Sequence, residues 1–374
     1  MLDPVPALSA RRLPGLRRAL FTWFKRHRRD LPWRLNADPY RIWVSEIMLQ
    51  QTTVAAVVPY FNRFLIAFPT VTALAAADEQ TVLNHWSGLG YYRRARFLHA
   101  AAKQLAAAYG NDLPDDPAVW EALPGIGRYT LGAVMSQAFD RRFPILEANT
   151  FRVLSRWFAL EGDPRSGVGQ KRLWQLAEYV LPKTNCGTFN QAMMELGSLV
   201  CTPTDPQCGA CPVAGWCEAN RLGKQREIPP KPVKPAKIDV REVALVLMHR
   251  GERILLQRPA DAKRWAGFWE CPHGELQPGE PVDAAARRIA REQLGIAVTV
   301  GREFAVIRHG ITRYAITMTC LEATTNDDPQ PQTHAAVHRL PPDDDGSAVP
   351  MASPQRKLLA LLKTYQPTFD FPAS

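Results

Sequence analysis

Two regions of different class are predicted for this 374-residue chain: an all-α region over about the first 220 residues, then an α+β region from about 240. Three observations carry the division. Apolar residues recur at helical spacing up to about residue 200, and strand-like runs replace them after about 240. Between the two lies a stretch from Lys224 to Asp239 with four prolines and four lysines, expected to be a stiff, extended, basic linker. The charge is also uneven. Residues 1–237 carry 30 Lys and Arg against 19 Asp and Glu, whereas residues 238–374 carry 16 against 17. A basic first region suits a polyanionic partner; a merely soluble basic protein is the plain alternative. Apolar runs are broken by charge well short of a membrane span. The first ten residues lack the basic-then-apolar pattern of a signal peptide, so a cytoplasmic location is expected.

In chain order, residues 1–14 read as a loose start. A basic amphipathic helix follows, with Leu16, Leu20, Trp23 and Phe24 on one face. Leu31-Pro32-Trp33-Arg34 reads as an extended entry, because a residue before proline avoids helix. The next helix is expected over 39–51. Its Glu46 has Ile42, Trp43, Leu49 and Gln50 three and four residues away, which would desolvate the carboxyl and tighten its hold on a proton. The bland reading is a glutamate that snorkels to water.

Helices follow at about 53–67, 78–86 and 91–109, with Asp78 as a cap and Gly110 as a stop. Between the last two, Gly88-Leu89-Gly90-Tyr91-Tyr92 makes a tight turn, and Arg93, Arg94 and Arg96 open the next helix. Aromatics beside arginines suit base stacking and phosphate neutralisation, or a core tyrosine pair on a basic helix. Asp116-Pro117 starts another helix. It leads into Leu123-Pro124-Gly125-Ile126-Gly127, a hairpin whose bare amides at a helix start can face a phosphate. Leu146-Glu147-Ala148-Asn149 then turns into a helix at about 148–160, where a carboxylate is electrostatically favoured. Two more helices, about 168–181 and 188–200, lead to the cysteines.

Four of the seven cysteines, Cys201, Cys208, Cys211 and Cys217, fall within seventeen residues. A long chain without a secretory signal is a poor disulfide candidate. Structural zinc usually shows two separated short pairs. One tight pair with an outlier on each side can wrap an iron–sulfur cube; zinc and chance clustering of buried cysteines remain open. Cys186, Cys271 and Cys320 read as buried apolar residues.

Beyond the linker, Val243–His249 and Arg253–Arg258 read as strands joined at residues 250–252. A helix is expected over 281–294, ended by Gly295, with strands at 296–300, 304–308 and 314–321 and a last helix near 353–364. Asp343, Asp344 and Asp345 read as a solvated loop.

The cysteine spacing resembles the cluster loop of helix-hairpin-helix DNA glycosylases related to endonuclease III. With Leu31-Pro32-Trp33-Arg34, Ser45-Glu46-Ile47-Met48-Leu49-Gln50-Gln51-Thr52, the Gly88–Tyr92 turn, the Leu123–Gly127 hairpin and Phe189-Asn190-Gln191-Ala192-Met193-Met194-Glu195-Leu196-Gly197, the first 220 residues resemble adenine DNA glycosylases of the MutY type. Trp265–Pro272 and the register Gly274, Glu280, Arg288, Glu292, Gly295 resemble a nudix fold. Ile289 and Gln293 stand at two carboxylate positions of its signature, so a Mg²⁺-holding hydrolase site is spoiled and a binding role is expected.

The resemblance implies a multidomain protein. Residues 1–223 would be an all-α helix-hairpin-helix glycosylase region, with a six-helix barrel over about 30–140 and a cluster domain over about 10–29 and 141–223. A 224–239 linker, a nudix-like lesion-recognition domain over 240–366 and a 367–374 tail follow. It implies one 4Fe–4S cluster on the four cysteines, and a monomer acting on duplex DNA with adenine opposite 8-oxoguanine or guanine, in the nucleoid. Tyr91 and Gln51 would wedge near the orphaned base, Arg34 and Thr52 would line the extrahelical path and lesion contacts, and Leu49, Arg94, Gly125 and Gly127 would meet DNA or the lesion. His309 and Thr312 would read the lesion, although Ile311 stands where the family usually has an aromatic.

Glu46 would be the general acid, Glu147 the ionised partner, with Tyr129 and Asn149 in support. Asn149 could equally cap its helix. The family pattern has Asp in a Leu-Asp-Gly-Asn run; here Glu147 sits one methylene further out. The backbone withdraws to compensate, activity falls, or the site is altered; retained activity is the reading adopted. Tyr129 stands where strand-cleaving relatives carry a Schiff-base lysine, so a monofunctional enzyme is expected. The rivals are an impaired DNA-binding or redox-sensing scaffold, a nudix nucleotide hydrolase and an endonuclease III-like lyase.

Overall fold

The computed structural model describes residues 10–231, 236–262, 265–311, 313–344, 346 and 348–362. The described residues fall into two compact units, one drawn from Met1–Ala77 and Arg93–Val233, the other from Asp78–Tyr92 and Lys234–Ser374. The grouping departs from the sequence division at 78–92. There, Tyr92 donates to the Met351 carbonyl at 3.2 Å and packs edge-on to Phe268, and Arg356 Nε donates to Ser87 Oγ at 2.6 Å.

The helices are α1 Leu13–His27, α2 Pro39–Leu49, α3 Val54–Ala67, α4 Val71–Ala76, α5 Glu79–Trp86, α6 Arg93–Tyr109, α7 Pro117–Glu121, α8 Arg128–Phe139, α9 Ala148–Trp157, α10 Gly167–Val180, α11 Cys186–Leu199 and α12 Glu218–Arg221. Short α4 was missed in the sequence. The caps follow local chemistry. Asp38, Thr53, Asp78, Asp116 and Ser166 each accept a first-turn N–H. Gly110 (φ 59°) ends α6 in the left-handed region. The apolar face of α1 buries Leu16, Leu20, Trp23 and Phe24 against Val153, Trp157, Phe189 and Leu196, in one core with α9, α10 and α11. A fully buried leucine contributes roughly 1.5–3 kcal/mol.

The first residues of the expected linker are not a free spacer. Ile228 is buried, its carbonyl accepts from Arg156 Nε at 2.8 Å, and the Pro230 carbonyl accepts from Arg165 at 2.8 Å. A proline-rich segment with spare carbonyls is fixed by the buried Arg156, which needs an acceptor, and by the exposed Arg165.

The second unit holds a seven-stranded sheet of β1 Ile238–His249, β2 Glu252–Gln257, β3 Trp269–Glu270, β4 His273–Glu275, β5 Thr299–Ile311, β6 Tyr314–Thr325 and β7 Ala336–Leu340, with helices α13 Val282–Leu294 and α14 Ser353–Leu362. The main order is β3-β2-β1-β6-β5; β1 and β6 run parallel, from Ile238↔Tyr314 to His249↔Thr325, and the other pairs are antiparallel. Alternation on β1 separates two cores. Val243, Leu245 and Leu247 pack with Ala286, Ile289 and Ala290 of α13, while Ala244 and Val246 pack with Leu358 and Leu359 of α14. The strands expected at 296–300 and 304–308 are one strand, with register shifts between Val300 and Ala305 that had read as a break. Linker residues Ile238 and Asp239 belong to β1. Asp345 and tail residues 367–374 lie outside the described residues.

Candidate active site

A cavity of about 1120 Å³ opens in the first unit between α2, the segment after it, the α7–α8 hairpin, the start of α9 and α11. Glu46 forms its inner wall. Every α2 residue from Ile42 to Met48 is buried and Glu46 itself is 2% exposed, its carboxyl ending on the cavity wall and not at the outer surface; the snorkelling alternative is overturned. Gln137 Nε2 donates to Glu46 Oε1 at 2.9 Å, and the Tyr129 hydroxyl makes a short hydrogen bond to Oε2. Burial raises the Glu46 pKa and the Glu147 charge adds to the rise, against the pull of Tyr129, Gln137 and Arg34. Burial, with both carboxyls nearby, holds Tyr129 well above the usual phenol range, so its hydroxyl keeps its proton.

Glu147 also borders the cavity, and it is the N-cap of α9. Its Oε1 accepts the Thr150 N–H at 2.8 Å, and its Oε2 accepts the Asn149 N–H at 2.8 Å and Asn149 Nδ2 at 3.1 Å. Thr150 Oγ1 returns a bond to the Glu147 N–H at 2.9 Å, completing a capping box. The carboxylate is thus folded back over its own helix start. Burial raises its pKa, while the two amides and Arg152 oppose the rise. Asn149 is not the cap, as one reading of the sequence had it; its Oδ1 accepts from Arg152 at 2.8 Å.

Glu195, not singled out as a site residue from the sequence, is wholly buried on α11 and anchors two arginines of the cavity wall. Arg29 donates to it from its backbone, Nε and Nη2 at 2.9 Å each, and Arg34 from Nη2 at 3.0 Å. Against the upward push of burial, these guanidiniums hold Glu195 at about 2. Leu49, Gln51, Thr52, Gly125 and Gly127 line the same cavity. Gly125 is required twice over: its φ is 81°, and a Cβ would stand 2.7 Å from that of Phe97.

Arg94 corrects the sequence reading. It is buried, and its Nη1 donates to the Ile47 and Met48 carbonyls at 2.8 Å and to that of Gln50, while Nη2 reaches Thr52 Oγ1 at 3.2 Å. It caps the C-terminus of α2 instead of meeting a phosphate. Tyr91 belongs to the second unit; it is 60% exposed on a left-handed backbone, φ 48°.

Cys201, Cys208, Cys211 and Cys217 ring one cavity with Arg156 and Trp157. Among the described residues, no three His, Cys, Asp or Glu side chains gather tightly enough for a single metal ion. The four thiols face one common cavity, so a single group bound by all four is what their placement fits. Burial, with the neighbouring sulfurs, pushes Cys211 up to about 12 and Cys217 to about 11. Such thiols need a cationic centre to ionise together, as an iron–sulfur cluster provides. Arg156 Nη1 stands 3.2 Å from Cys201 Sγ, and Arg152 Nε donates to the Cys201 carbonyl at 2.6 Å. Cys186, Cys271 and Cys320 are buried, as expected.

In the second unit, Arg288 grips both Glu280 oxygens at 2.8 and 2.9 Å and reaches Glu292 at 3.2 Å. Ile289 is core, and Gln293 Nε2 donates to the His273 carbonyl at 2.8 Å. The remaining nudix carboxylates are therefore paired internally. His309 lies on β5 and borders a cavity of about 240 Å³ with Glu242, Arg258, Trp265 and His273. Thr312 lies outside the described residues.

Helical hairpin, two-carboxyl cavity and cysteine ring together define a base-excision repair scaffold. Residues 44–179 match the HhH-GPD superfamily base excision DNA repair protein family, residues 201–217 the iron–sulfur binding domain of endonuclease III, and residues 243–361 the NUDIX domain. The chain is 28% identical to a thermostable thymine-DNA glycosylase of known structure, with a TM-score of 0.52, covering 57% of this chain and 98% of that one. It is 35% identical over 246 residues to the adenine DNA glycosylase of Buchnera aphidicola from Schizaphis graminum, covering 66% of this chain and 71% of the relative. It is 41% identical over 240 residues to that of Rattus norvegicus, covering 62% of this chain and 46% of the relative. The chain belongs to the adenine DNA glycosylase family. It spans about half the length of the rodent relatives it matches.

Proposed function

We propose that this chain is a monofunctional glycosylase that hydrolyses adenine from duplex DNA where adenine faces 8-oxoguanine or guanine. The observation that carries the reading is the pair of carboxyls, Glu46 and Glu147, on one cavity whose third member is a tyrosine, Tyr129. Adenine leaves only when protonated, and the sugar then carries oxocarbenium charge. Glu46, buried among neutral donors, protonates the base as its bond to the sugar breaks and afterwards takes a proton from the attacking water. Glu147 faces the developing positive charge, with Tyr129 and Asn149 in support. Tyr129 cannot form a Schiff base, so the strand is left intact.

The base reaches the cavity by leaving the stack. Gln51 and Tyr91 would fill the gap, Arg34, Leu49 and Thr52 would line the path, and the amides beside Gly125 and Gly127 would hold a phosphate. His309 and Thr312 in the nudix-like unit would read the lesion. Cys201, Cys208, Cys211 and Cys217 would hold the iron–sulfur cluster, which supplies a cationic cross-link for its loop. The protein would act as a monomer in the cytoplasm, at the nucleoid.

The test is to incubate the protein with duplex carrying adenine opposite 8-oxoguanine, with and without alkali. Strand breaks only after alkali are expected. Tight binding without adenine release at any protein excess overturns the reading in favour of an impaired scaffold; breaks without alkali overturn monofunctionality.

A further inference from the structure

Gln137 lies two turns beyond Tyr129 on α8, and both side chains end on Glu46. They end on different oxygens: Gln137 Nε2 on Oε1 at 2.9 Å, the Tyr129 hydroxyl on Oε2. From α11, Gln191 Nε2 donates to Gln137 Oε1 at 3.3 Å. We infer that Gln137, pinned by Gln191, is a positioning residue that decides which oxygen of Glu46 carries its proton.

The two partners of Glu46 differ in freedom. A hydroxyl rotates and can either give or accept a hydrogen bond; an amide NH₂ only gives. Turning the Gln137 amide over would set its NH₂ against that of Gln191, donor against donor. While Gln191 donates to Gln137, Oε1 faces an N–H and is the poorer seat for a proton. Oε2 is the better one, because the Tyr129 hydroxyl can rotate to accept. The proton that base release consumes is thereby favoured on the Tyr129 side of the carboxyl.

The other groups on Glu46 come from several elements. Glu147 at the start of α9 repels its charge, and Arg34 attracts it. Arg29 and Glu195 share the cavity wall, bonded to each other. Gln137 works against burial by favouring the ionised form. Losing its N–H would make Glu46 hold its proton to higher pH.

The kinetic test rests on the glycosylase reading above. Single-turnover adenine release is measured across pH for the unmodified protein, Gln137→Met and Gln191→Met. A general acid must be protonated, so the rate falls as pH rises through the Glu46 pKa. In Gln137→Met this falling limb should move up by about one pH unit, the effect of one hydrogen bond to a charged group. Gln191→Met leaves Gln137 in place but free to turn, and should move the limb the same way by less. A limb unmoved in both variants, even with a lower rate at every pH, overturns the inference and leaves Gln137 as packing. If the unmodified protein releases no adenine, the glycosylase reading fails by itself. The ¹³C carboxyl signal of Glu46, titrated in the same three proteins, then decides: an upward shift in Gln137→Met supports the inference, and unchanged titration overturns it.

Discussion

Glu46 in the first unit and Glu270 in the second are both carboxyls taken out of water, and they are pushed in opposite directions. Glu46 meets an amide and a hydroxyl, with a second carboxyl nearby, and its pKa is raised. Glu270 meets Arg258 at 3.0 and 3.2 Å, His273 at 3.2 Å and His334 at 3.2 Å, and its pKa is lowered despite burial. Burial is common to both; the charge of the partners differs. A buried carboxyl without a dedicated cation is poised for proton transfer, whereas one among cations is a structural joint.

The contrast is broken most severely by removing each proton-holding group. Glu46→Gln should lower single-turnover adenine release by about 10³-fold or more, with duplex binding retained in a titration. Glu270→Ala should do the reverse. It strands His273, whose pKa stands at about 10, and leaves Arg258 without its carboxylate. The loss is about 3–5 kcal/mol of stability, read by urea unfolding of the second unit, with adenine release per folded molecule largely kept.

Glu147→Ala falls between the two, because that carboxyl is both a cavity wall and a helix cap. About 1 kcal/mol of stability should go with the cap, and adenine release should fall about 10²–10³-fold. Separate loss of only one property would show that the two roles are not joined.

The smallest expected effect is a difference in pH response. A raised glutamate pKa makes folding costlier above that pKa, so Glu46→Gln should raise Tm at pH 8 and leave it unchanged near pH 4. For His273 the sign is opposite in use: its pairing stabilises fully below its ordinary 6.5 and fades as pH rises through about 10. Glu270, with a lowered pKa, stabilises above its ordinary 4.5, and that contribution is lost on acidification. Melting followed by hydrogen exchange at amides of α2 and β2 would separate these trends; parallel curves for the two elements would remove the contrast.

Helix faces, caps and the cysteine ring were legible because each is written within a few neighbouring residues. Glu46 was legible for the same reason, since its apolar surroundings lie on its own turn. Gln137 and Glu195 were not, because their partners are supplied by helices far away in sequence. Arg94 was misread because an arginine beside aromatics looks the same whether it awaits a phosphate or closes the end of another helix. Strand β5 was split because its bulges resemble a turn; β3 and β4 are too short to show a period, and β7 shows no alternation of buried and exposed residues.

The sheet imposes an order on biosynthesis. Strand β1 lies at its centre, yet its long parallel partner β6 begins only at Tyr314 and ends at Thr325. Until the ribosome has released that stretch, Val243, Leu245 and Leu247 lack part of their cover, and most of one edge of β1 lacks its hydrogen-bonding partner. The helical unit has no comparable wait, because its segments through α12 are already complete. A stall between the two strands would leave a folded first unit carrying an adhesive tail, a hazard that chaperone capture or rapid elongation across residues 250–325 would relieve.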